Sequence, residues 1–443
     1  MTTTKNNEHK KLNFSSEREQ SQACLNSAEH EKNQGRKVLN VPNLRFPEFQ
    51  EEWEKCTLGN NVKIQGGYAF KSELFLRKGI PIIRISNLPQ NASFVDLDDC
   101  TYYKEGNYNS FEVHNGDLLI AMSGATTGKT AIYNKKTLAY LNQRVGLFKS
   151  TNSDRLYYPF LYAFVSTPVF KRQLSTRLIA GAQPNISSSD IESIRISIPQ
   201  KTSEQEKIAH LMLLLDKRIA TQNKIIDKLQ SLIKGMEDNL LDNPLWEKTY
   251  LRSFMQFFPT NSLSWEQLSY KEGAIRNLHY GLIHGLQTRG INSASLPMIK
   301  NEAIPKQYTL CQVGDVAFAD ASEDTGEIAK SVEFVDTIEG ETICGLHTIH
   351  GRDIKNRTVV GFKGFAFNSR YFHNQIKRLA QGTKVFSITA NNLSSCYVYL
   401  PDFDTQKAIV KLLKAYEEKL LVSKRLLEQY EKQKQHLLRQ MFI

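Results

Sequence analysis

The hydrophobic residues of this chain follow two different periods in alternating blocks. The blocks at about 54–199 and 247–401 contain short runs in which apolar and polar residues alternate, the pattern of half-buried strands. The blocks at about 204–241 and 405–442 contain no proline, and their apolar residues recur at alternating steps of four and three. That spacing predicts long helices with a coiled-coil seam. The pattern therefore predicts an α+β chain in which two mixed, mainly β domains alternate with two long helices.

An internal duplication accounts for this alternation. Short motifs of the first half recur in the same order in the second half, at offsets of 193 to 202 residues. The matched pairs are Trp53-Glu54-Lys55 with Trp246-Glu247-Lys248, Gly116-Asp117-Leu118 with Gly314-Asp315-Val316, Ile198-Pro199 with Leu400-Pro401, and Gln205 with Gln406. Ordered offsets that drift by only a few residues predict two copies of one module.

The two helical blocks are predicted to pair with each other. Their seams have matched lengths and matched polar interruptions, at Gln222 and Ser423. A seam could also pack on its own β domain, but matched interruptions favour a helix pair. A helix of about 38 residues spans roughly 57 Å, enough to hold two globular domains apart. The predicted interface residues are Leu215, Ile219, Ile226, Leu229, Ile233 and Met236 in the first helix, and Tyr416, Leu420, Leu427, Tyr430, Leu437 and Met441 in the second.

Composition narrows the class of protein. The 443 residues carry 57 Lys and Arg against 46 Asp and Glu, a formal net charge of +11 that favours a polyanionic partner. Residues 1–40 are polar and are predicted to form a disordered tail. No apolar run is long enough for a transmembrane helix, and the N-terminus has no apolar signal region, so no membrane role is expected. Six widely spaced cysteines suit free thiols better than a disulfide framework or a zinc site.

The segments that resemble catalytic or metal-binding motifs each differ from the known motif. Residues 123–130 look like a phosphate-binding loop, but three residues instead of four separate Gly124 from Gly128-Lys129. The second copy is matched there to Thr325-Gly326-Glu327, which would replace the lysine with a carboxylate. His347 and His350 have HxxH spacing, but no acid or cysteine partner is expected for them, which favours surface or core histidines over a metal pair. No catalytic or metal site is predicted.

Residues suited to holding DNA do recur in both copies. Arginine, lysine, glutamine and asparagine on Gly-rich segments can reach phosphates and base edges. The copies agree in framework and diverge in these loops, as expected if each reads a different short sequence. The predicted DNA-binding residues are Lys71, Arg84, Asn87, Lys129, Gln143, Arg144, Arg177 and Gln183 in the first copy, and Arg276, Arg289, Arg352, Arg370 and Lys384 in the second.

In the order of its motifs, the chain resembles the specificity subunit of type I restriction–modification systems from Asn43 onward. The resemblance rests on Leu44-Arg45-Phe46-Pro47 with Trp53-Glu54, on residues 79–85, on Gly116-Asp117-Leu118-Leu119, and most strongly on residues 181–186 through Ile198-Pro199 to 204–209. It implies target-recognition domains at 41–199 and 244–401. It also implies conserved spacer helices at 200–243 and 402–443 that pair as an antiparallel coiled coil.

The same resemblance implies a non-catalytic subunit that binds double-stranded DNA in the cytoplasm. Each target-recognition domain would read one half of a bipartite site, and the helix pair would set the spacer. The expected partners are two modification subunits, which methylate adenine with S-adenosylmethionine, and restriction subunits that need ATP and Mg. No cofactor is expected in this chain. Two alternatives stay open, a DNA-modifying enzyme that acts alone and a coiled-coil scaffold that does not bind DNA.

Overall fold

A computed structural model describes residues 39–89, 94–178, 184–286, 289–338, 340–382 and 384–443. The chain divides into two compact units. Unit 1 runs to Lys217 and includes Lys432–Ile443, whereas unit 2 is Arg218–Glu431. The tail predicted at 1–40 lies outside the described residues except for Leu39 and Asn40.

Unit 1 is built around two four-stranded sheets, with strand orders β2-β9-β6-β7 and β4-β3-β8-β5. Most neighbours are antiparallel, but β3 and β8 are parallel. A separate antiparallel pair, β1 with β10, joins the two ends of the domain. The strands are β1 (Glu54–Thr57), β2 (Val62–Gly66), β3 (Ile80–Ile83), β4 (Thr101–Tyr103), β5 (Glu112–Val113), β6 (Leu118–Ala121), β7 (Thr130–Ile132), β8 (Ala139–Leu141), β9 (Val145–Ser150) and β10 (Arg195–Ile198).

Three short helices cover one of these sheets before the first long helix begins. They are α1 (Phe160–Phe164), α2 (Pro168–Ser175) and α3 (Ser188–Glu192), followed by α4 (Thr202–Leu241). The local sequence fixes where α2 starts, because the Thr167 hydroxyl accepts a hydrogen bond from the Phe170 amide at 3.1 Å and proline occupies the first helical position. Phe160 and Phe170 are fully buried in the apolar core of unit 1.

Unit 2 repeats this architecture with one larger sheet, ordered β12-β21-β17-β19-β15, and a four-stranded sheet ordered β13-β16-β14-β20. Two-stranded pairs join β11 to β23 and β18 to β22. Its elements are β11 (Glu247–Tyr250), β12 (Met255–Phe258), β13 (Leu268–Ser269), β14 (Arg276–Leu278), α5 (Tyr280–Gly285), β15 (Gly290–Ile291), β16 (Met298–Ile299), β17 (Val316–Ala319), β18 (Ala321–Ser322), β19 (Ser331–Phe334), β20 (Thr342–Cys344), β21 (Thr348–Asp353), α6 (Phe362–Ala366), α7 (Arg370–Leu379), β22 (Phe386–Ser387), α8 (Ala390–Ser395), β23 (Tyr397–Leu400) and α9 (Phe403–Gln440).

The predicted duplication is visible in hydrogen bonds that recur at matched positions. In unit 1 the Gln173 side chain donates to the Arg195 carbonyl at 2.7 Å and accepts from the Arg195 amide at 3.0 Å. In unit 2 the Gln375 side chain makes the same two bonds with Tyr397, at 2.9 and 3.0 Å. Each glutamine thus ties a short helix to the strand that precedes a long helix.

The two long helices pack together, as predicted, and they run antiparallel. Within unit 2, the Gln222 side-chain amide donates to the Ser423 carbonyl at 3.1 Å. Four residues earlier in α4, the Arg218 guanidinium lies 6.0 Å from the centre of the Tyr430 ring, seven residues later in α9. Residue numbers therefore rise along one helix as they fall along the other. The two matched polar interruptions, Gln222 and Ser423, face each other and are both buried.

None of the predicted interface residues is exposed. Met441 lies one position beyond the end of α9, in the apolar core of unit 1. No helix within the described ranges is long and apolar enough to span a membrane. Buried interface residues are Leu215, Ile226, Leu229, Ile233 and Met441, and half-buried ones are Ile219, Met236, Tyr416, Leu420, Leu427, Tyr430 and Leu437.

Candidate nucleic-acid interface

One end of the unit 1 sheets gathers several predicted DNA-binding residues. Arg84 follows β3, the loop 122–129 joins β6 to β7, and the turn Gln143-Arg144 joins β8 to β9. We call these residues, together with the segment 184–186, the unit 1 edge. All of them lie where β3, β6 and β8 end, because parallel pairing of β3 with β8 brings their carboxyl ends together.

Backbone hydrogen bonds fix the loops of this edge to one another. The Met122 amide donates to the Arg144 carbonyl at 2.9 Å, and the Ile186 amide donates to the Met122 carbonyl at 3.0 Å. Gly67 lets the chain before Tyr68 pass close to β8, since a Cβ atom there would lie 2.2 Å from the Asn142 carbonyl oxygen. The loops form a connected surface on a rigid sheet, the arrangement that suits a binding site.

The side chains of the unit 1 edge offer cationic and amide donors. Gln143 and Arg144 are exposed, and Lys129 is half-buried; none of the three side chains has a hydrogen bond or ion pair among the described residues. The Arg84 Nε atom is buried without a hydrogen-bond partner within the same ranges. Tyr68, 41% exposed, adds an aromatic residue to this edge, and its backbone carbonyl accepts a hydrogen bond from the backbone N–H of Gln143 at 2.9 Å. Such a set can contact phosphates, base edges and ring faces.

Other predicted residues of the first copy lie elsewhere or serve the fold. Asn87 is buried: its side chain accepts from the Arg84 amide and donates to the Asp96 carbonyl. Arg177 donates to Gln173 and Ser193, which holds the end of α2 against the chain before β10. Lys71 is exposed at the start of a one-turn helix. Gln183 lies outside the described residues.

The equivalent end of the unit 2 sheets carries a different set of side chains. The Asp320 amide donates to the His347 carbonyl at 3.0 Å, which repeats the bond between Met122 and Arg144 in unit 1. His279 follows β14 as Arg84 follows β3. Rings pack against one another at these positions: the ring centres of Trp265 and His279 are 4.4 Å apart, and Tyr280 and His347 meet edge to face with ring centres 5.3 Å apart. We call this aromatic and histidine cluster the unit 2 edge.

Most of the cations predicted for the second copy do not lie on this edge. Arg276 donates to the carbonyls of Ala294 and Leu296, and Arg352 makes a two-pronged ion pair with Asp315. Arg289 lies 3.5 Å from Glu237.

Arg370 is 70% exposed and lies 3.9 Å from Asp238 on α4. Lys384 is exposed in the hairpin that leads into β22, and β22 pairs with β18 beside the unit 2 edge. Of the five residues predicted in this copy, Arg276 lies nearest in sequence to that edge, three residues before His279.

Sequence reasoning missed the residues that form the unit 2 edge, namely Trp265, His279, Tyr280 and His347. The signal was present in the duplication. Leu141 pairs with Ile83 and Cys344 pairs with Leu278, so the offset between copies is 203 at this point. Carried three residues further, that offset aligns Arg144 with His347.

Structure also corrects the comparison of the Gly-rich loops. Gly128 donates its amide to the Ala121 carbonyl, and Ala329 donates to the Ala319 carbonyl in the same way. Both residues have a positive φ, 86° and 57°. Lys129 therefore corresponds to Lys330, and the match to Glu327 is wrong because the second loop is three residues longer. Lys330 differs from Lys129 in that it donates to the His284 carbonyl at 3.0 Å.

The two histidines of the HxxH motif have acidic neighbours after all, brought by distant parts of the chain. His347 Nδ1 lies 3.0 Å from Asp320, and the buried His350 lies 2.7 Å from Asp315 through Nε2. Burial opposes ionisation of Asp315, but hydrogen bonds from Arg352 and His350 outweigh it and hold its pKa below the usual value. His350 and His347 face different surroundings, since one is buried and the other 50% exposed.

Known proteins are similar to this chain in both sequence and fold. Residues 50–231 match the family model described as the type I restriction modification DNA specificity domain. The specificity subunit of the type I restriction enzyme MjaVIII from Methanocaldococcus jannaschii is 29% identical over 206 residues, 44% of this chain and 46% of the relative. The chain thus spans about half the length of that relative. It spans 95% of the putative MjaX specificity subunit of the same organism, with 24% identity over 91% of the chain.

A solved structure extends the likeness to the whole fold. The crystal structure of the type I restriction–modification S subunit from M. genitalium covers 91% of this chain and 99% of its own, with a TM-score of 0.60 and 15% identity. Two β-rich units with a pair of long antiparallel helices are thus a fold that this chain shares with that S subunit. In sequence and in fold, the chain is thus similar to type I restriction–modification specificity subunits, and the family model matches residues 50–231.

Proposed function

We propose that this chain is the sequence-specific DNA-recognition subunit of a type I restriction–modification complex. Each unit would read one half of a bipartite target in double-stranded DNA. The observation that carries this proposal is that equivalent ends of the two duplicated sheets hold different side chains, Arg84, Gln143 and Arg144 in unit 1 and His279, Leu346 and His347 in unit 2. A shared scaffold with divergent loops supports two different half-sites.

The two edges would read DNA by different contacts. Arginine donates two hydrogen bonds to guanine, and glutamine pairs in the same way with adenine. The unit 1 edge offers both residue types. The unit 2 edge offers exposed rings, with Trp265 45% and His347 50% exposed, so it would rely more on stacking and on single hydrogen bonds. The two half-sites are thus expected to differ in base composition and in the salt dependence of their contacts.

Partner subunits would bind the outer faces of the helix pair. Within unit 2, Ile225 and Leu232 on α4 are 39% and 46% exposed, and they are seven residues apart, so they share one face. On α9, Val422 is 60% and Leu426 40% exposed. Exposed aliphatic residues on a helix indicate a protein partner. We propose that two modification subunits bind there, and that restriction subunits join them.

Chemistry in the complex would belong to the partners. The proposed modification subunits bring S-adenosylmethionine and methylate adenine, and the proposed restriction subunits use ATP and Mg for cleavage. This chain would supply sequence recognition only, in the cytoplasm where the DNA lies. The helix pair would set the number of base pairs between the two half-sites.

Domain exchange tests this proposal. Residues 54–199 are replaced by the equivalent domain of a relative with a known target, and methylated sites are mapped in cells that also contain the modification subunit. One half-site should change while the other half-site and the spacer persist. A simultaneous change in both halves would contradict separate reading. Methyl transfer by the purified chain without any partner would contradict a non-catalytic role.

A further inference from the structure

Three buried residues of unit 2 bring soft ligand atoms together. Cys311 precedes the turn to β17, Cys344 ends β20, and His350 lies in β21. The two sulfur atoms are 3.6 Å apart, and a sulfur of each cysteine and a ring nitrogen of His350 all lie within 4.8 Å of one another. Their exposed fractions are only 7%, 3% and 1%. One ion placed among these atoms could contact all three.

The equivalent positions in unit 1 are apolar. Strand pairing matches Cys311 with Val113, since the two lie one residue after the equivalent pairs Leu310 with Ile343 and Glu112 with Tyr140. It matches Cys344 with Leu141, which pairs with Ile83 as Cys344 pairs with Leu278.

It also matches His350 with Leu147, because Ala317 pairs with His350 as Leu119 pairs with Leu147. Val113, Leu141 and Leu147 belong to one hydrophobic cluster of unit 1 and are at most 2% exposed. The same framework can therefore close this space with aliphatic side chains. In unit 2 all three positions carry residue types that bind transition metals.

We propose that Cys311, Cys344 and His350 form a binding site for a zinc ion. Thiolate and imidazole ligands together select a soft divalent cation such as Zn²⁺ over Mg²⁺ or Ca²⁺. Zinc–sulfur bonds of about 2.3 Å at a tetrahedral angle separate two sulfur atoms by roughly 3.8 Å. The 3.6 Å separation observed here is close to that value, so the sulfur atoms need little movement.

The surroundings balance the charge of such a site. Two thiols that lose their protons to solvent as the zinc–sulfur bonds form contribute two negative charges, which the ion offsets. Asp315 contacts His350 at 2.7 Å and carries a further negative charge, which its ion pair with Arg352 offsets. Metal-binding histidines commonly contact a carboxylate in this way. The ion would thus leave no uncompensated charge in the interior.

Apolar packing or a disulfide would account for less of this cluster than zinc does. Two buried thiols can serve as small apolar groups, but apolar packing does not explain a histidine at the third position, where the other copy has leucine. A disulfide would need the sulfur atoms to approach to about 2.05 Å, and it would leave His350 without a role. Zinc would tie the turn before β17 to β20 and β21, and so stabilise the sheet that carries the unit 2 edge.

Metal binding by the intact chain is the direct test. Full-length protein is purified under reducing conditions, equilibrated with Zn²⁺ or Co²⁺, and freed of excess ion. Mass spectrometry of the metal should find about one zinc per chain. The cobalt form should show thiolate-to-cobalt charge-transfer absorption and the visible bands of a tetrahedral site. A wild-type chain without these bands and without retained zinc would overturn the proposal.

Variants identify the ligands. Replacing the three residues by those of unit 1, Cys311→Val with Cys344→Leu and His350→Leu, should preserve folding and lower the zinc content by about tenfold or more. The matched control, Cys396→Val, changes another buried cysteine of unit 2 and should leave zinc content unchanged. Thiolate-to-cobalt bands that persist in the triple variant would overturn the assignment.

Discussion

Gln205 and Gln406 make the same three hydrogen bonds in the two units. Each side-chain carbonyl accepts from a backbone amide at the end of the β domain, that of Tyr157 at 2.8 Å and that of Val359 at 2.9 Å. Each side-chain amide donates to two carbonyls, one of which belongs to the proline before the long helix. Both glutamines are at most 1% exposed. These residues lock the start of each long helix to its own domain.

Loss of either glutamine should therefore destabilise its own unit. Gln205→Ala and Gln406→Ala each remove three buried hydrogen bonds and leave their partners unsatisfied, which should lower the free energy of unfolding by about 2–4 kcal/mol. Urea denaturation measures the change. Gln230→Ala, at an exposed position of α4, is the control and should shift the transition by less than about 0.5 kcal/mol. Equal effects of buried and exposed substitutions would contradict this role.

Stability should fall as the pH rises through the range in which Glu417 ionises. Burial raises the pKa of Glu417 to about 7, although Arg289 partly opposes the shift. An unfolded glutamate ionises near 4.5, so folding is favoured most below that pH and the advantage is lost between pH 4.5 and 7.

Glu417→Gln should then raise the melting temperature at pH 8 and leave it nearly unchanged at pH 4.5. The gain at pH 8 should be on the order of 1–3 kcal/mol. Glu418→Gln, at the exposed neighbouring position, is the control and should show no such pH dependence. Thermal denaturation at the two pH values decides between these outcomes, and a variant less stable than wild type at pH 8 would contradict the expectation.

Arginines on the unit 1 edge should matter for DNA, whereas arginines bonded within the fold should matter for stability. Arg144→Ala should weaken binding to target DNA by about 1–3 kcal/mol if the side chain contacts a base. If it contacts a phosphate, the slope of the logarithm of the binding constant against the logarithm of the salt concentration should instead become shallower by about one.

Arg177→Ala removes hydrogen bonds to Gln173 and Ser193, so it should lower the melting temperature while a folded fraction still binds DNA normally. Fluorescence anisotropy across a salt series, paired with thermal denaturation, separates the two effects. A reversed pattern, with Arg177 and not Arg144 needed for binding, would move the interface away from the unit 1 edge.

The helix pair should control the unread stretch between half-sites. Seven residues inserted after Gln222 and seven after Ser423, which face each other, lengthen both helices by roughly 10 Å and keep the seam nearly in phase. DNA rises 3.4 Å per base pair, so the spacer should grow by about three base pairs while both half-site sequences persist. Mapping of methylated sites measures the spacer. An active variant with an unchanged spacer would show that other elements set the distance.

A structural feature of this chain can be predicted from sequence when the residues that form it are close together in sequence. The helical period alone predicts a long helix at 204–241, and α4 spans Thr202–Leu241. The prediction succeeds because all the residues of an apolar helix seam lie within one continuous segment of sequence. Arg84, Lys129 and Arg144 lie together because each follows or precedes a strand end. Arg352 does not lie on the unit 2 edge, because it pairs with Asp315, 37 residues away in sequence, and no local sequence pattern predicts that ion pair.

Cys311, Cys344 and His350 are also brought together by the fold and not by a local sequence pattern, but comparison of the two copies can reveal them. The three residues do not form a metal-binding sequence motif, since 33 residues separate the two cysteines and six separate Cys344 from His350. Comparison with Val113, Leu141 and Leu147 in the other copy exposes the set, but only after strand pairing has fixed the offset at each point. In a duplicated chain, each copy thus serves as a comparison for the other. Because the loops of the two copies differ in length, the equivalent residues can be matched only after the fold is known.

The last residues of the chain complete the core of the first unit. Leu438, Met441 and Phe442 are buried in that core, the rings of Phe442 and Trp53 lie 6.2 Å apart, and the Leu44 amide donates to the Gln440 carbonyl. During synthesis, the interior of unit 1 can therefore close only after residues 438–442 have been made, by which time all of unit 2 has already been made.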